Sequence, residues 1–521
     1  MARYKHYDYR QSKLLPVSFE EQILPGSFEY TLCHLIDDEL DLSAFEERYT
    51  NDEEGAPAYD PAILLKIVLY AYSRGVTSSR RVARLCEQNV MFMAVSADSR
   101  PHFTTLAHFV SSNHDAIGLL FRQVVMICDE LGLIGGDMFA IDGCKLPSNA
   151  SKEWSGTHAE LEKKVRKLDR AVRRIVSLHR RTDQKDERKS KRATSEPDSA
   201  RMDMKARERQ QLKKLRKVSK KLKHFLATNE EKIGTSGSPI KSNVTDNESA
   251  KMKTSRGVIQ GYIGVAGVDA EKQVVVHAEA HGHPQEHSLL KPAVEGLKTN
   301  LEQRSRKKKG RLRGAKVIAD SGYHSRRNVE YLEEESLDGY IADIGYRGRD
   351  PRFATAPLHR PKKSKKKRFT VEDFDYDLKK RACVCPAGNS MWLQCARAEI
   401  KGYLFMQFQA HKADCERCTL RSQCLRSEDQ PTPRHVNIQY RRTKEKTASP
   451  LERMKRKIDS SRGRHIYSFR LGVVEPVFGH ITSAIGFKRF SLRGRAKVDG
   501  QWKLVTMLHN ICKIHRYGWS T

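Results

Sequence analysis

Met138-Phe139-Ala140-Ile141-Asp142-Gly143 is an apolar run that stops at a carboxylate. The apolar residues and their neighbours over 137–148 read as a strand, which places Asp142 where a buried strand meets a polar surface. A second run of the same kind is Val317-Ile318-Ala319-Asp320-Ser321-Gly322-Tyr323. A third acid, Glu475, follows Tyr467-Ser468-Phe469-Arg470 in the segment Val473-Val474-Glu475-Pro476-Val477-Phe478-Gly479. If the fold brings the three together, they make an all-oxygen site suited to a hard divalent cation. Asp137, Asp246 and Asp269 are rival acids; Asp137 also fits a turn cap, and Asp269 sits in a hairpin turn.

Outward from Asp142, the elements have a definite order. Val258–Val268 and Gln273–Ala280 read as paired strands, followed by a helix from about His287 to Leu301, the strand ending at Asp320, a helix around Asn328–Glu334 and a strand at Tyr340-Ile341-Ala342. Glu475 then falls in a largely helical stretch, 450–516. Without two insertions the order is β-β-β-α-β-α-β-α, that of an α/β, RNase H-like mixed sheet flanked by helices. The expected division is a helical N-terminal DNA-binding region, 1–134; the first part of the catalytic domain, 135–156; a basic helical hairpin, 157–235; the catalytic domain continued, 236–345; a basic linker and cysteine-rich insertion, 346–449; and closing helices, 450–521. In the N-terminal region Pro61 suits a helix start, and two more helices open near Thr77 and Thr104, compatible with a helix-turn-helix or a plain bundle. In the hairpin, Leu161, Val165, Leu168, Val172 and Ile175 face Leu212, Leu215, Val218 and Leu222 across a break at Ser195-Glu196-Pro197-Asp198.

The 521 residues carry a formal net charge of +32, in blocks such as Arg304–Lys309 and Lys362–Arg368. Such an excess favours a polyanion, with nucleic acid ahead of a membrane surface. No run is apolar and long enough to cross a bilayer, and Met1–His6 lacks the apolar core of a secretory signal. The expected location is cytoplasmic, associated with the nucleoid. Six of the 11 cysteines cluster between Cys383 and Cys424, which does not read as a disulfide framework.

Three stretches carry a family resemblance. They are Ala140-Ile141-Asp142-Gly143-Cys144-Lys145 with Asn149-Ala150-Ser151; Ala319-Asp320-Ser321-Gly322-Tyr323; and Ile466-Tyr467-Ser468-Phe469-Arg470 through Gly479 to Arg489-Phe490 and Leu492-Arg493-Gly494. Over nearly the whole chain the sequence resembles the DDE transposases of bacterial insertion sequences, in the branch with a Tyr-Arg-Glu signature near the third acid. The resemblance implies metal-dependent DNA cleavage and strand transfer at transposon ends. Asp142, Asp320 and Glu475 would be the catalytic acids, holding two Mg²⁺ (or Mn²⁺) ions about 4 Å apart. Tyr467 and Arg470 would grip DNA phosphate, with Lys488, Arg489 and Arg493 nearby. The partners would be double-stranded DNA, as terminal inverted repeats and target, and a second copy of the chain on that DNA, with no membrane. The family signature often has a lysine where this chain has Thr482. Two other functions remain open: a catalytically silent transposase-derived DNA-binding protein, and a nuclease without strand transfer.

The cysteine cluster has one tight knuckle, Cys415-Glu416-Arg417-Cys418, with Cys424 soon after and Cys383 and Cys385 upstream. Four thiolates suffice for a tetrahedral structural Zn²⁺. The chosen set is Cys385, Cys415, Cys418 and Cys424, with Cys383 the rival first ligand; buried unliganded thiols are the alternative. Trp392, in the same insertion, reads as core of a small domain.

Overall fold

A computed structural model describes residues 16–47, 57–190, 199–234, 237–255, 257–302, 312–353, 368–400, 403–427, 430–442 and 448–518. The residues read above as a non-secretory N-terminus, the break in the helical hairpin, the basic run 304–309 and most of 362–368 lie outside that set. The chain forms two compact units, one of 1–344 with 454–521 and one of 345–453.

The larger unit is built on a six-stranded sheet: β1 (Met138–Pro147), β2 (Ala250–Thr254), β3 (Gly257–Asp269), β4 (Val275–His281), β5 (Lys316–Ala319) and β6 (Asp338–Ile341). The path is β2-β3-β1-β5-β6, and β4 pairs with β3. β3 is antiparallel to β1 and β4, whereas β1, β5 and β6 run parallel. This is the mixed α/β, RNase H-like arrangement expected. β2 was not read from the sequence; its signal is the alternation of buried Ala250 and Met252 with Lys251 and Lys253.

Three helices precede β1 at the places expected: α1 (Pro61–Ser73), α2 (Ser79–Gln88) and α3 (Phe103–Ser112). Asp60 caps the first by accepting from Ala62 N–H at 2.7 Å, with Pro61 at the first helical position. A fourth, α4 (His114–Glu130), leads into the sheet. One apolar core runs from these helices through the sheet to the last long helix, α9 (Arg495–Tyr517), numbered after α5 (His158–Ser190), α6 (Ser199–Thr228), α7 (Leu290–Glu302) and α8 (Ser461–Gly479). Trp502 of α9 is fully buried, donates to Val265 O at 2.9 Å and lies where a Cβ on Gly264 would stand 2.7 Å away. Among the described residues, the edge of β4 away from β3 is closed by side chains rather than by another strand. Asn510 accepts from Val275 N–H and donates to Val275 O, both at 2.8 Å, and Asp499 accepts from Ala280 N–H at 2.8 Å. The basic hairpin α5–α6 has a thin seam of Leu161, Val165, Leu222 and Phe225, joined by Leu168 and Val218.

Two buried histidines make this unit sensitive to acid. His509 Nε2–H donates to Gln273 O at 3.0 Å, leaving Nδ1 to accept from His480 Nδ1–H at 3.0 Å. Burial pushes His509 down to about 3 and His277 down to about 4. An unfolded histidine titrates near 6.5, so below about pH 6.5 the unfolded chain binds protons that the folded state refuses. Each histidine therefore favours the fold above that pH and loses stability at up to about 1.4 kcal/mol per pH unit as the pH falls towards its folded value. Asp142, held up to about 6, works in the opposite direction between about pH 6 and 4. Burial also lowers His283 and His480 and raises Asp269, so the histidines outnumber the carboxylates, and denaturant titrations are expected to show falling stability from pH 6.5 to 5, with a shallower fall in His509→Gln.

The smaller unit is a five-stranded antiparallel meander: β7 (Asp375–Asp377), β8 (Ala382–Val384), β9 (Ser390–Ile400), β10 (Tyr403–Ala410) and β11 (His435–Arg442). Its core is small: Phe374, Cys383, Met391, Phe408, Ala410, Val436 and Ile438. Trp392 is not part of it. Successive strand residues point to opposite faces, and with Met391 turned inward Trp392 is left 43% exposed.

Candidate active site

The register of β1 against β5 sets the site. The parallel pairs run from Met138↔Lys316 to Ile141↔Ala319, so the next residue on each strand is Asp142 and Asp320. Asp142 does not end its strand; β1 continues to Pro147 against β3, with Asp142 opposite Ala266. Asp320 does end β5, preceding a short 3-10 turn, Ser321–Tyr323.

Arg470 of α8 reaches both acids. Its Nη1 donates to Asp142 Oδ2 at 2.7 Å, and Nη2 lies 3.9 Å from Asp320 Oδ1. The side chains of Arg470 and Asp142 are only 11% and 16% exposed. Burial raises Asp142 to about 6, against the opposing pull of Arg470 and the Gly143 N–H; the charges of Asp320 and Glu286 add to the rise. A guanidinium thus stands beside two carboxylates on neighbouring strands, in the role a cation would take there. Its remaining donor, Arg470 Nε, is buried without a hydrogen-bond partner.

Glu475 lies on the same helix, five residues on and about 140° round its axis from Arg470. It is exposed, and its charge is among those felt by Arg470. Among the described residues, no three Asp, Glu, His or Cys side chains form a group that could hold a metal ion. The structure therefore brings together Asp142, Asp320 and Arg470, and leaves Glu475 facing outward on the helix that carries Arg470. A proline within that helix, Pro476, has no N–H for the carbonyl of Gly472; Gln273 Nε2 donates to it at 2.9 Å instead. Gln273 does this from a left-handed backbone (φ 61°) in the β3–β4 turn.

Of the other site residues read from the sequence, Arg489 and Arg493 lie at the end of β1. Arg493 Nε donates to Asn149 O at 2.7 Å, Asn149 Nδ2 to Ser491 O at 3.0 Å, and Phe490 N to Pro147 O at 2.9 Å. Lys488, Arg489 and Arg493 are exposed, and Tyr467 is partly buried. Thr482 Oγ1 donates to Phe478 O at 2.7 Å within its own helical turn. Two rival acids have structural work: Asp246 accepts from Tyr262 Oη at 2.8 Å, and Asp269 accepts from the N–H groups of Gly135, Gly136 and Glu271.

In the smaller unit, Cys385, Cys415, Cys418 and Cys424 line one cavity of about 20 Å³, room for one water-sized occupant. Burial raises the Cys424 thiol, and the charges of Cys415, Cys418 and Cys385 act on it in the same direction. Cys385 opens a turn closed by Gly388 N–H donating to Cys385 O at 2.8 Å, with Gly388 at φ 85°. Cys383 is instead buried in the core, its thiol 3.8 Å from Met391 Sδ. The donor chemistry suits a single zinc ion, although the sulfurs are not drawn into a closed cage.

Two families of known proteins match the chain. A model described as a transposase DDE domain covers residues 384–515, and one described as a transposase domain (DUF772) covers residues 17–112. Both are transposase families, which gives the chain its class, an enzyme of DNA transposition. More narrowly, the pair of matches makes it similar to DDE transposases of the insertion-sequence type, whose substrate is DNA. The first match includes Glu475 and the cysteines from Cys385 to Cys424; Cys383, Asp142 and Asp320 lie outside both. No curated relative matches the chain. Among the described residues, no helix is long and apolar enough to cross a membrane.

Proposed function

We propose that the protein cuts and joins DNA at the ends of an insertion sequence, with Asp142, Asp320 and Glu475 as its acids and Mg²⁺ or Mn²⁺ as cofactor. The observation that carries this reading is the pairing of Asp142 with Asp320 on parallel strands beside a buried arginine. A bound divalent cation supplies Lewis acidity at a scissile phosphate. The protein's own part is to hold the two aspartates adjacent, and to move Arg470 from the carboxylates to a phosphate oxygen. The unpaired Arg470 Nε supplies a further donor for that contact. Lys488, Arg489 and Arg493 add positive charge beside the β1 end, where a duplex backbone would run. DNA engagement as a homodimer, with the helical 17–112 region reading the ends, is part of the same proposal.

Purified full-length protein, DNA carrying the element ends, a target plasmid and Mg²⁺ form the direct test. Cut and joined products are expected. Cutting without joining would make the protein a nuclease; no cutting in any divalent metal would leave a silent DNA-binding descendant. Thr482 bears on that last outcome, because its hydroxyl is engaged with Phe478 O.

We further propose that Cys385, Cys415, Cys418 and Cys424 hold a structural Zn²⁺. A unit with so small an apolar core gains from such a staple. Metal analysis is expected to find one zinc per chain, reduced at least tenfold in Cys418→Ser and unchanged in Cys383→Ser. Zinc-free, folded protein would refute the assignment.

A further inference from the structure

Neither sequence motif includes Glu286, yet it sits between the two. A Cβ on Gly322 would lie 2.8 Å from Glu286 Oε2, and one on Gly143 would lie 3.7 Å from Glu286 Cγ. Gly322, two residues after Asp320, thus leaves room for a glutamate that also packs beside Gly143, the residue after Asp142. The Glu286 side chain is 13% exposed, and Lys145 Nζ lies 2.9 Å from its Oε1. Asn328, itself buried, donates through Nδ2 to His287 O and Tyr323 O, both at 2.7 Å, which pins the loop carrying Glu286 to the loop carrying Asp320.

A second observation marks this spot as more than an ion pair. Tyr323 is fully buried, and its hydroxyl has no hydrogen-bond partner. That hydroxyl lies 3.6 Å from the Cβ position of Gly143, among the charges of Asp142, Glu286 and Asp320. A buried donor without an acceptor is costly, commonly by about 1–3 kcal/mol, and calls for an oxygen ligand at that point.

We propose that Glu286 is a further acid beside the catalytic pair: a positioning residue whose charge strengthens cation binding at Asp142 and Asp320 and is restrained by Lys145. The inference rests on the reading of Asp142 and Asp320 as the cation site. It assigns Glu286 no step in the chemistry. Its effect runs through the field at the pair, and Lys145 sets how much of that field is felt.

This division of roles gives opposite signs for two variants. Mn²⁺ affinity of the DNA-free, full-length protein, read from the free-ion EPR signal, is expected to fall about tenfold or more in Glu286→Gln. It is expected to rise in Lys145→Met, which leaves the glutamate unneutralised, and to stay closer to wild type in Glu286→Asp. A purely structural pair would weaken binding in both Gln and Met variants. Wild-type affinity in Glu286→Gln, together with loss in Asp142→Asn, would overturn the role of Glu286 and keep the aspartate pair. Wild-type affinity in Asp142→Asn would overturn the cation site, and this inference with it. Should Glu286→Gln fail to fold, Lys145→Met decides: tighter binding supports the proposal and weaker binding overturns it.

Discussion

Asp142→Asn is expected to abolish DNA cleavage while the protein still folds and binds DNA. The amide keeps the shape of the side chain, and its single oxygen can accept from Gly143 N–H or from Arg470, which bond different oxygens of the aspartate, so the local packing survives with one hydrogen bond lost. What disappears is one of two adjacent negative charges. Loss of that charge removes several kcal/mol of stabilisation at a reacting phosphate, and about 4 kcal/mol corresponds to roughly a thousandfold in rate. Asp320→Asn and Glu475→Gln carry the same expectation. Gel-shift binding, thermal melting and a cleavage assay on one preparation check it. Retained cleavage in any of the three would show that the residue is not a ligand. Glu475→Gln is the most informative, because that residue is exposed while the other two are drawn together.

Arg470→Gln is expected to destabilise the metal-free protein, by about 3 kcal/mol, and to make its melting temperature depend on divalent cations more steeply than wild type. Removing one partner of a buried ion pair leaves an uncompensated charge, which typically costs about 3–5 kcal/mol. The lower end applies because Asp320 is 39% exposed. Mn²⁺ would then fill the role vacated by the guanidinium and restore much of the loss. If Arg470 instead serves only the packing of α8, the melting loss would appear without any recovery on adding Mn²⁺. The same variant is expected to weaken DNA binding, since the proposed phosphate contact would be gone.

Both aspartates were legible because each ends an apolar run, and a buried strand that meets a charge is a strong local signal. The helices at Pro61, Ser79 and Phe103 were legible for a similar reason, through periodicity and start residues. The orientation of Glu475 was not. It depends on how far round α8 it falls from Arg470 and on Pro476, and so on three-dimensional helix geometry. Glu286 was invisible in another way. It lies in His281-Gly282-His283-Pro284-Gln285-Glu286-His287, a loop without period, and only the space beside Gly143 and Gly322 reveals it. The smaller unit read as a cysteine cluster and not as a sheet, because the burial along β9 alternates weakly and its bulges interrupt the pattern. Cys385 was chosen over Cys383 from the sequence, where the direction in which β8 turns Cys383 into the core was not visible.

The join between Arg470 and Asp142 spans 328 residues of chain, and Trp502 reaches back to Val265 across 237. During synthesis, β1 leaves the ribosome long before either partner exists. At about 5–20 residues per second, translating those 328 residues takes roughly 16–66 seconds. For that interval the apolar strands of the sheet lack the helix that buries them, and the two aspartates lack their arginine. The unit of residues 345–453, being continuous in sequence, has no such wait. The nascent chain therefore gains the closing part of its core, and the arginine beside its acidic pair, only when residues 461–517 emerge.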